Sequence, residues 1–179
     1  MSITETAGTP QTAADRGLVI RLADPSEYDA VGELSYDAYR HDYSISDAYR
    51  AQLVDTAGRT DEYEVWVAVD ADGTLVGTVS ILRDGFDLGG ALREGELYFR
   101  LLAVSPRARR RGIGARLTEF TLDEARRRGY RVVALNSGEH MVGAHALYRS
   151  LGFVADPERD FHIQDDGRSI TVHLFTRAV

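Results

Sequence analysis

The chain has 179 residues, of which 44% are hydrophobic, and its formal net charge is −7 at pH 7. This length suits one domain with a substantial core, and the negative charge argues against a general nucleic-acid binder. The sequence contains no cysteine, which excludes disulfides, thiolate metal sites and a cysteine nucleophile. It also contains no lysine, which excludes a Walker-type phosphate loop and Schiff-base chemistry on a lysine side chain.

The N-terminal stretch 1–17 is polar, rich in small residues, and without the basic and apolar regions of a signal peptide. We therefore predict a disordered tail over 1–17 and a single domain over 18–179. No apolar run approaches the roughly 20 residues that a membrane helix needs. Together these features predict a cytoplasmic protein that does not associate with membranes.

The domain alternates between the hydrophobic periods of strands and helices, with glycine, proline and aspartate between them. The predicted elements, in chain order, are a strand at 18–22, helices at 25–40 and 46–57, strands at 64–69, 74–82 and 96–104, a helix from Gly112, a strand at 131–136, a helix at 142–151, and strands at 161–164 and 169–177. This order predicts an α/β fold with one mixed, mostly antiparallel central sheet of about seven strands and helices on both faces.

An arginine- and glycine-rich turn joins strand 96–104 to the next helix. Arg109, Gly112 and Gly114 form the pattern Arg-x-x-Gly-x-Gly within VSPRARRRGIGARL at 104–117. The first N–H groups of a helix are unpaired and lie at the positive end of its dipole, so this turn suits an anion. Glycines let phosphate oxygens approach the backbone, and the arginines add charge for more than one phosphate.

The turn has other interpretations on its pattern alone. A dinucleotide-binding fingerprint would have a third glycine at position 117, where the sequence has Leu117. A nucleic-acid patch would use the clustered arginines, although no aromatic residues are interleaved with them. The turn is also consistent with a helix start beside a solvated arginine loop.

Two sequence runs carry a resemblance to a known family. LLAVSPRARRRGIGARL at 101–117 resembles the coenzyme A signature of the GNAT superfamily of N-acetyltransferases. AHALYRSLGF at 144–153 is similar to the later signature of that superfamily, which ends in Leu-Tyr-x-x-Leu-Gly-Phe. The order of elements agrees over about 18–177. The resemblance implies a GNAT-like fold and an acyl-CoA-dependent N-acyltransferase that uses acetyl-CoA as its co-substrate.

The resemblance also implies how acetyl-CoA is bound. The pantetheine arm would pair with the end of strand 96–104 like an added strand, where the sheet separates from strand 131–136. The pyrophosphate would bind the N–H groups of the turn, and Arg110 or Arg111 would bind the 3′-phosphate. The expected coenzyme A contacts are Leu102, Ala103, Val104, Arg109, Arg110, Arg111, Gly112, Ile113, Gly114, Ala115 and Asn136.

Amide formation from a thioester and an amine requires loss of a proton from the amine and protonation of the leaving thiolate. Without cysteine, direct attack by the amine is the simplest route. By resemblance, Tyr148 is the acid that faces the sulfur of coenzyme A, and a packed helix tyrosine is the alternative. Glu96 is the candidate base, acting through water as in family members, and a solvated strand-end carboxylate is the alternative.

Other family members carry the base on the next strand, where this chain has Asn136, which cannot take a proton. Glu139 and His140 are the nearby substitutes, and Met141 stands where the family often has asparagine. His145 lies one helical turn before Tyr148, although a surface position is the simpler expectation. The five histidines show no metal-ligand spacing, so we predict no metal site.

The resemblance implies that the first two helices and the last strands hold the acceptor amine. The expected acceptor contacts are His41, Tyr43, Tyr98 and Arg100. Nearby acidic and aromatic residues suit a cationic group, which favours a small amine, an amino sugar or a peptide N-terminus. The final strands are a candidate homodimer interface.

Two other functions remain open at this point. A non-catalytic acyl-CoA-binding module would keep Gly112 and Gly114 and need no acid or base. An RNA-binding domain would use the arginine loop and bind with a steep salt dependence, although we expect no nucleic-acid partner.

Overall fold

The computed structural model describes residues 17–179, so the predicted tail lies outside the described residues except for Gly17. The strands are β1 (Val19–Leu22), β2 (Tyr63–Val69), β3 (Leu75–Leu82), β4 (Glu96–Val104), β5 (Val132–Gly138), β6 (Val154–Ala155), β7 (Phe161–Asp165) and β8 (Arg168–Ala178). The α-helices are α1 (Tyr28–Asp42), α2 (Asp47–Val54), α3 (Ile113–Arg127) and α4 (Val142–Ser150). None of the helices in this part of the chain is long and apolar enough to span a membrane, and the cytoplasmic location stays a prediction.

All the strands belong to one mixed sheet. Its order is β1-β2-β3-β4-β5-β8-β6, and β7 pairs with β8 beside this path. Strands β4 and β5 are parallel, and the other neighbours are antiparallel. The predicted α/β fold is therefore confirmed, with eight strands instead of about seven, because the two-residue β6 is too short to give a sequence pattern.

The two faces of β2 show that the sheet lies between helical layers. Val65 and Val67 pack on one face in a cluster with Val31 of α1. Trp66 and Ala68 belong to the opposite face, where the largest cluster contains Leu117 of α3. Successive residues of a strand point to opposite faces, so each face of β2 is covered by a different helix.

The first two helices differ from their predicted bounds for local reasons. Residues Pro25–Glu27 form a 3₁₀ turn, capped by the Asp24 side chain, before α1 begins. Helix α2 starts as predicted after Ser46, whose Oγ accepts a hydrogen bond from the Tyr49 N–H at 3.0 Å. It stops at Val54 rather than near residue 57, because Arg59 binds the carbonyl groups at its C-terminus.

Helices α1 and α2 approach each other closely at Gly32. A Cβ atom at this position would overlap the carbonyl group of Val54 at the end of α2. Glycine is a poor helix former, so its place inside α1 is explained by this backbone contact.

We expect Gly32→Ala to destabilise the domain. Helix propensity alone would add about 1 kcal/mol of stability, but overpacking against backbone costs about 1–3 kcal/mol and the displaced α2 loses further contacts. The check is the free energy of unfolding in denaturant. Gly143→Ala in α4 is the control, because a Cβ there meets no atom within 4 Å, and it should not lose stability.

Candidate functional site

The parallel strands β4 and β5 separate partway along their length. Glu96 to Phe99 pair with Val132 to Leu135, and no later residues of the two strands pair with each other. Beyond this point β4 is still paired with β3, and β5 is still paired with β8. Among residues 17–179, the facing edges of the two strands therefore have no strand partner.

A bulge in β4 lies where the separation begins. Arg100 is opposite Ser80, whereas Ala103 is opposite Thr78, so β4 contains one residue more than β3. Leu101 takes up this extra residue with a φ of 52°, in the left-handed region that non-glycine residues seldom adopt. Such strain in a buried residue often marks a functional position.

The gap between β4 and β5 is a cavity of about 570 Å³, which we call the wedge cavity. Its walls are the end of β4, the arginine–glycine turn, the start of α3, the end of β5, and α4. The predicted coenzyme A contacts that line it are Leu102, Ala103, Val104, Arg109, Arg110, Gly112, Ile113, Gly114, Ala115 and Asn136. Arg111 was also predicted but is not among the lining residues.

The two glycines of the turn have different physical roles. Gly112 has a φ of 75° and ends the turn just before α3, and a Cβ on it would meet no atom within 4 Å. Its side-chain position is thus open space in front of the first N–H groups of α3. Gly114 is inside the helix, where a Cβ would lie 3.2 Å from the side chain of Leu147. It therefore allows α3 and α4 to pack closely.

Two arginines of the turn are held by carboxylates of other elements. The Arg109 guanidinium is 2.7 Å from Asp42 at the end of α1. Arg111 forms two hydrogen bonds to Asp70, at 2.6 and 2.9 Å, which draw its side chain toward the β2–β3 turn. Each guanidinium also lowers the pKa of its carboxylate partner through the hydrogen bond. Arg110, with a φ of 59°, lines the wedge cavity.

Tyr148 reaches the wedge cavity from α4. The tyrosine is buried, and its ring packs against Phe99 of β4 and Phe153. Burial raises the pKa of its phenol well above the ordinary value, with further contributions from nearby tyrosines. Tyr148 is therefore protonated at neutral pH and faces the space between β4 and α4.

A second cavity of about 480 Å³ lies between α2 and the β7–β8 hairpin, and we call it the hairpin cavity. It adjoins the wedge cavity, because both are lined by Tyr39, Arg100, Leu101, Asn136, Ser137 and Met141. At this junction the Asn136 Oδ1 and the Ser137 Oγ are buried without a hydrogen-bond partner among the described residues. An unpaired buried polar atom costs about 1–3 kcal/mol, so these atoms are suited to a ligand.

The predicted acceptor contacts are divided between the two cavities. Tyr98 lines the hairpin cavity, Tyr43 lines the wedge cavity, and Arg100 lines both. His41 lines neither, since its imidazole Nδ1 is 2.8 Å from Asp42 on the exposed end of α1. His140 lines the hairpin cavity, and its ring lies against Tyr43 and Gly138.

Glu96 lies away from both cavities. It begins β4, about 13 Å along the strand from Arg100 at the usual rise per residue. Its buried carboxylate accepts hydrogen bonds from Arg159 at 2.7 and 2.8 Å and from the Arg93 N–H at 2.9 Å. Burial alone would raise the pKa of Glu96, but these hydrogen bonds outweigh it and hold the pKa below the ordinary value. The structure therefore places Glu96 in an ion pair outside both cavities, a position that does not favour its expected role as the base.

Three lining residues at the junction had no role in the sequence prediction. Ser137 lies one residue beyond the predicted end of strand 131–136, and Tyr39 lies on the apolar face of a helix, where a core position is the usual expectation. Met141 was noted only as a departure from the family pattern. Ser137 could have been found from the sequence, because it is a polar residue that directly follows Asn136 at the end of a predicted strand.

Comparison with known proteins agrees with this geometry. The model of the acetyltransferase (GNAT) family matches residues 28–153. Human N-acetyltransferase 8B is 33% identical over 124 residues, which cover 63% of this chain and 53% of that protein. Human N-acetyltransferase 8 is 38% identical over 88 residues, 49% of this chain and 37% of that protein. The chain thus spans about half or less of the length of these curated relatives.

Solved structures share the fold. The yncA protein of Salmonella typhimurium, solved with its cofactor acetyl-CoA, has a TM-score of 0.67 at 23% identity, covering 90% of this chain and 93% of its own. The ribosomal-protein-S18-alanine N-acetyltransferase of Escherichia coli has a TM-score of 0.64 at 20% identity, covering 90% and 94%. At this identity the likeness establishes the fold.

We expect Glu96→Gln to act on stability. Removing one partner of a buried ion pair costs about 3 kcal/mol at pH 7. Because the folded-state pKa of Glu96 is depressed below 4.5, the stabilisation is present above that pH and is lost as the pH falls through the folded-state pKa. The difference in unfolding free energy between the wild type and the variant should therefore shrink in acid.

Asp123→Asn is the matched control for this experiment. Asp123 forms an exposed ion pair with Arg126, and such pairs contribute little. If Glu96→Gln instead left stability unchanged and abolished acetyl transfer, Glu96 would be catalytic after all.

Proposed function

The chain belongs to the acetyltransferase (GNAT) family, whose members use acetyl-CoA, and on that basis we propose that it transfers an acetyl group from acetyl-CoA to an amine by direct attack. The observation that carries the proposal is the wedge cavity. It brings a free strand edge, a glycine turn at a helix N-terminus and a protonated buried tyrosine to one space. The adjoining hairpin cavity gives the amine a separate route to the thioester.

The residues of the wedge cavity fit acetyl-CoA. The free edge of β4 at 102–104 presents backbone groups that a pantetheine arm would satisfy like an added strand. The open space before α3, at Gly112, suits the pyrophosphate, because the unpaired N–H groups there carry the positive end of the helix dipole. The wall is otherwise largely apolar, with residues such as Ala103 and Leu147.

The bound thioester supplies the activated acyl group, and the protein positions the partners. An amine in the hairpin cavity reaches the wedge cavity at Leu101 and Asn136, where the two cavities meet. The free N–H groups of β4 are the donors available to the acyl oxygen. Tyr148 is the proposed acid, because its protonated phenol lines the wedge cavity, where the thiolate would depart.

For the proton of the amine we propose His140. It is the histidine that lines the hairpin cavity, and Tyr43 and Gly138 fix its ring near the junction. Glu139, the other substitute considered from the sequence, lines neither cavity; its hydrogen bonds to Thr171 lower the pKa of its carboxyl.

The RNA-binding alternative is not favoured. It requires a positively charged loop, but Asp42 and Asp70 already pair with two of the arginines. The module without catalysis needs neither acid nor base and would release no coenzyme A in the presence of an amine, so the release assay below decides between them.

Acetyl-CoA should raise the melting temperature of the wild-type protein selectively, beside ATP and NADH as anionic controls. Gly112→Val should remove this shift, because a branched side chain would fill the open space before α3. Gly129→Val is the matched control: Gly129 has a φ of 80° and open space around its Cβ position, but it closes the far end of α3. Both variants carry the same backbone strain, so loss of the shift in both would argue against a phosphate site at Gly112.

Tyr148→Phe should slow acetyl transfer by about 100-fold, a typical contribution of a general acid, and leave the shift with acetyl-CoA nearly unchanged. The rate is measured as released coenzyme A with a thiol reagent, to which this cysteine-free protein contributes no background. Tyr130→Phe is the control, because the Tyr130 hydroxyl binds Asp84 outside both cavities. An unchanged rate in Tyr148→Phe would remove Tyr148 from the mechanism.

A further inference from the structure

The hairpin cavity is lined by a cationic side chain, that of Arg100. Arg100 points into it from β4, and none of the ion pairs formed within residues 17–179 includes this arginine. Its polar contacts are with neutral groups: a long hydrogen bond of 3.4 Å to the Gln52 side chain and a contact with the Tyr63 side chain, whose ring centre lies 5.9 Å from the guanidinium. By contrast, the partly buried Arg128 and Arg159 are each held by a glutamate.

A second arginine makes the local charge more positive. Arg59 donates to the Gln52 carbonyl at 3.0 Å and to the Thr56 hydroxyl at 3.1 Å, while its Nε is buried without a partner among the described residues. It also lacks an ion pair in this part of the chain. Burial, and then the charge of Arg100, lower the pKa of Arg59 to about 10. The two cations therefore repel each other behind the cavity wall.

The rest of the hairpin cavity is mostly apolar. Its outer wall includes Phe161 and Ile163 of β7, which are among the few large exposed apolar side chains. The carboxylate that lines the cavity, Asp165, is held by a hydrogen bond of 2.6 Å from Ser46 Oγ. A neutral or cationic ligand would leave the charge of Arg100 uncompensated, whereas a carboxylate would pair with it through two parallel hydrogen bonds.

We infer that the acceptor is an amino acid with a free carboxylate and an apolar side chain, and that Arg100 binds this carboxylate. The inference rests on the proposed function, and it replaces the cationic amine or amino sugar expected from the sequence. Arg100 directly precedes Leu101, where the two cavities meet. A carboxylate on Arg100 therefore holds the neighbouring α-amino group at the mouth of the wedge cavity, with the apolar side chain against Phe161 and Ile163.

The test compares three acceptors that differ at one group: L-phenylalanine, L-phenylalaninamide and phenethylamine. Each is offered with acetyl-CoA, and released coenzyme A is measured. We expect kcat/KM for L-phenylalanine to exceed that for the other two by at least about 10-fold, since hydrogen bonds to a charged group are the strong ones. Arg100→Met should remove this preference, lowering kcat/KM for L-phenylalanine and leaving the other two within about 3-fold.

Two further variants test whether the preference depends on the guanidinium of Arg100. Arg100→Lys keeps the charge but not the planar fork, and should keep part of the preference. Arg50→Met is the control for loss of an arginine on the same side of the fold: Arg50 is exposed on α2, lies over the Tyr36 ring, and should keep the full preference. A melting curve shows whether each variant is folded. Arg100→Met is expected to be at least as stable as the wild type, because it removes an unpaired cation beside another.

The outcomes separate this inference from the proposed function. Equal rates with all three acceptors, or an equal loss for all three in Arg100→Met, would overturn the role of Arg100 while acetyl transfer stands. Loss of the acetyl-CoA shift in Arg100→Met would mean that the arginine serves the co-substrate, and would also overturn it. If none of the three is acetylated, the deciding measurement is binding in the presence of coenzyme A. A rise in melting temperature with L-phenylalanine but not with its amide, and no rise in Arg100→Met, supports the carboxylate site. If L-phenylalanine causes no such rise in the wild type, the carboxylate site is overturned.

Discussion

The parting of β4 from β5 after Phe99 and Leu135 is the constraint around which the molecule is organised. Buried backbone groups need partners, so a sheet tolerates such a gap only if each strand is held from its other side. Here β3 holds β4 and β8 holds β5, and the pairing of β5 with β8 continues to Gly138. The unpaired edges thus face each other across one cavity. The bulge at Leu101 lies at the start of this gap, so the strained backbone of Leu101 is located where β4 and β5 separate.

The helices that close the gap are fixed by packing. Helix α4 is anchored by Tyr148, whose ring contacts Phe99, Phe153 and Phe175. The aromatic cluster spans β4, α4 and β8, and so places the phenol relative to the strand edge. Aromatic packing of this kind is directional, so the packing of the core fixes the position of the Tyr148 hydroxyl. Gly114 lets α3 come close to α4 on the other side.

The sequence predicted those features that depend on short-range patterns. The bounds of β4 matched, and the turn at Gly112 lies at the start of α3, because strand alternation and a glycine at a helix start are local signals. The ion pair of Glu96 was not predicted, because its partner Arg159 is 63 residues away and joins it only in the folded chain. Arg100 was predicted to contact the acceptor, but the nature of that contact could not be read from the sequence. The absence of an ion pair at Arg100 within residues 17–179 depends on neighbours in space, and it is the basis of the proposed acceptor carboxylate.

Two arginines of the turn have their own counter-ions: Asp42 pairs with Arg109, and Asp70 pairs with Arg111. A guanidinium that binds an incoming anion must therefore give up its carboxylate partner. The attraction gained with the anion is offset by the loss of this ion pair, whose carboxylate is released into water. Among residues 17–179, no carboxylate pairs with the main-chain N–H groups at the start of α3 or with Arg110, which lines the wedge cavity. Dissolved salt screens charge pairs at the surface far more than it disturbs hydrogen bonds in a cavity. We therefore expect the affinity of this turn for an anion to depend more on the shape of the cavity than on ionic strength.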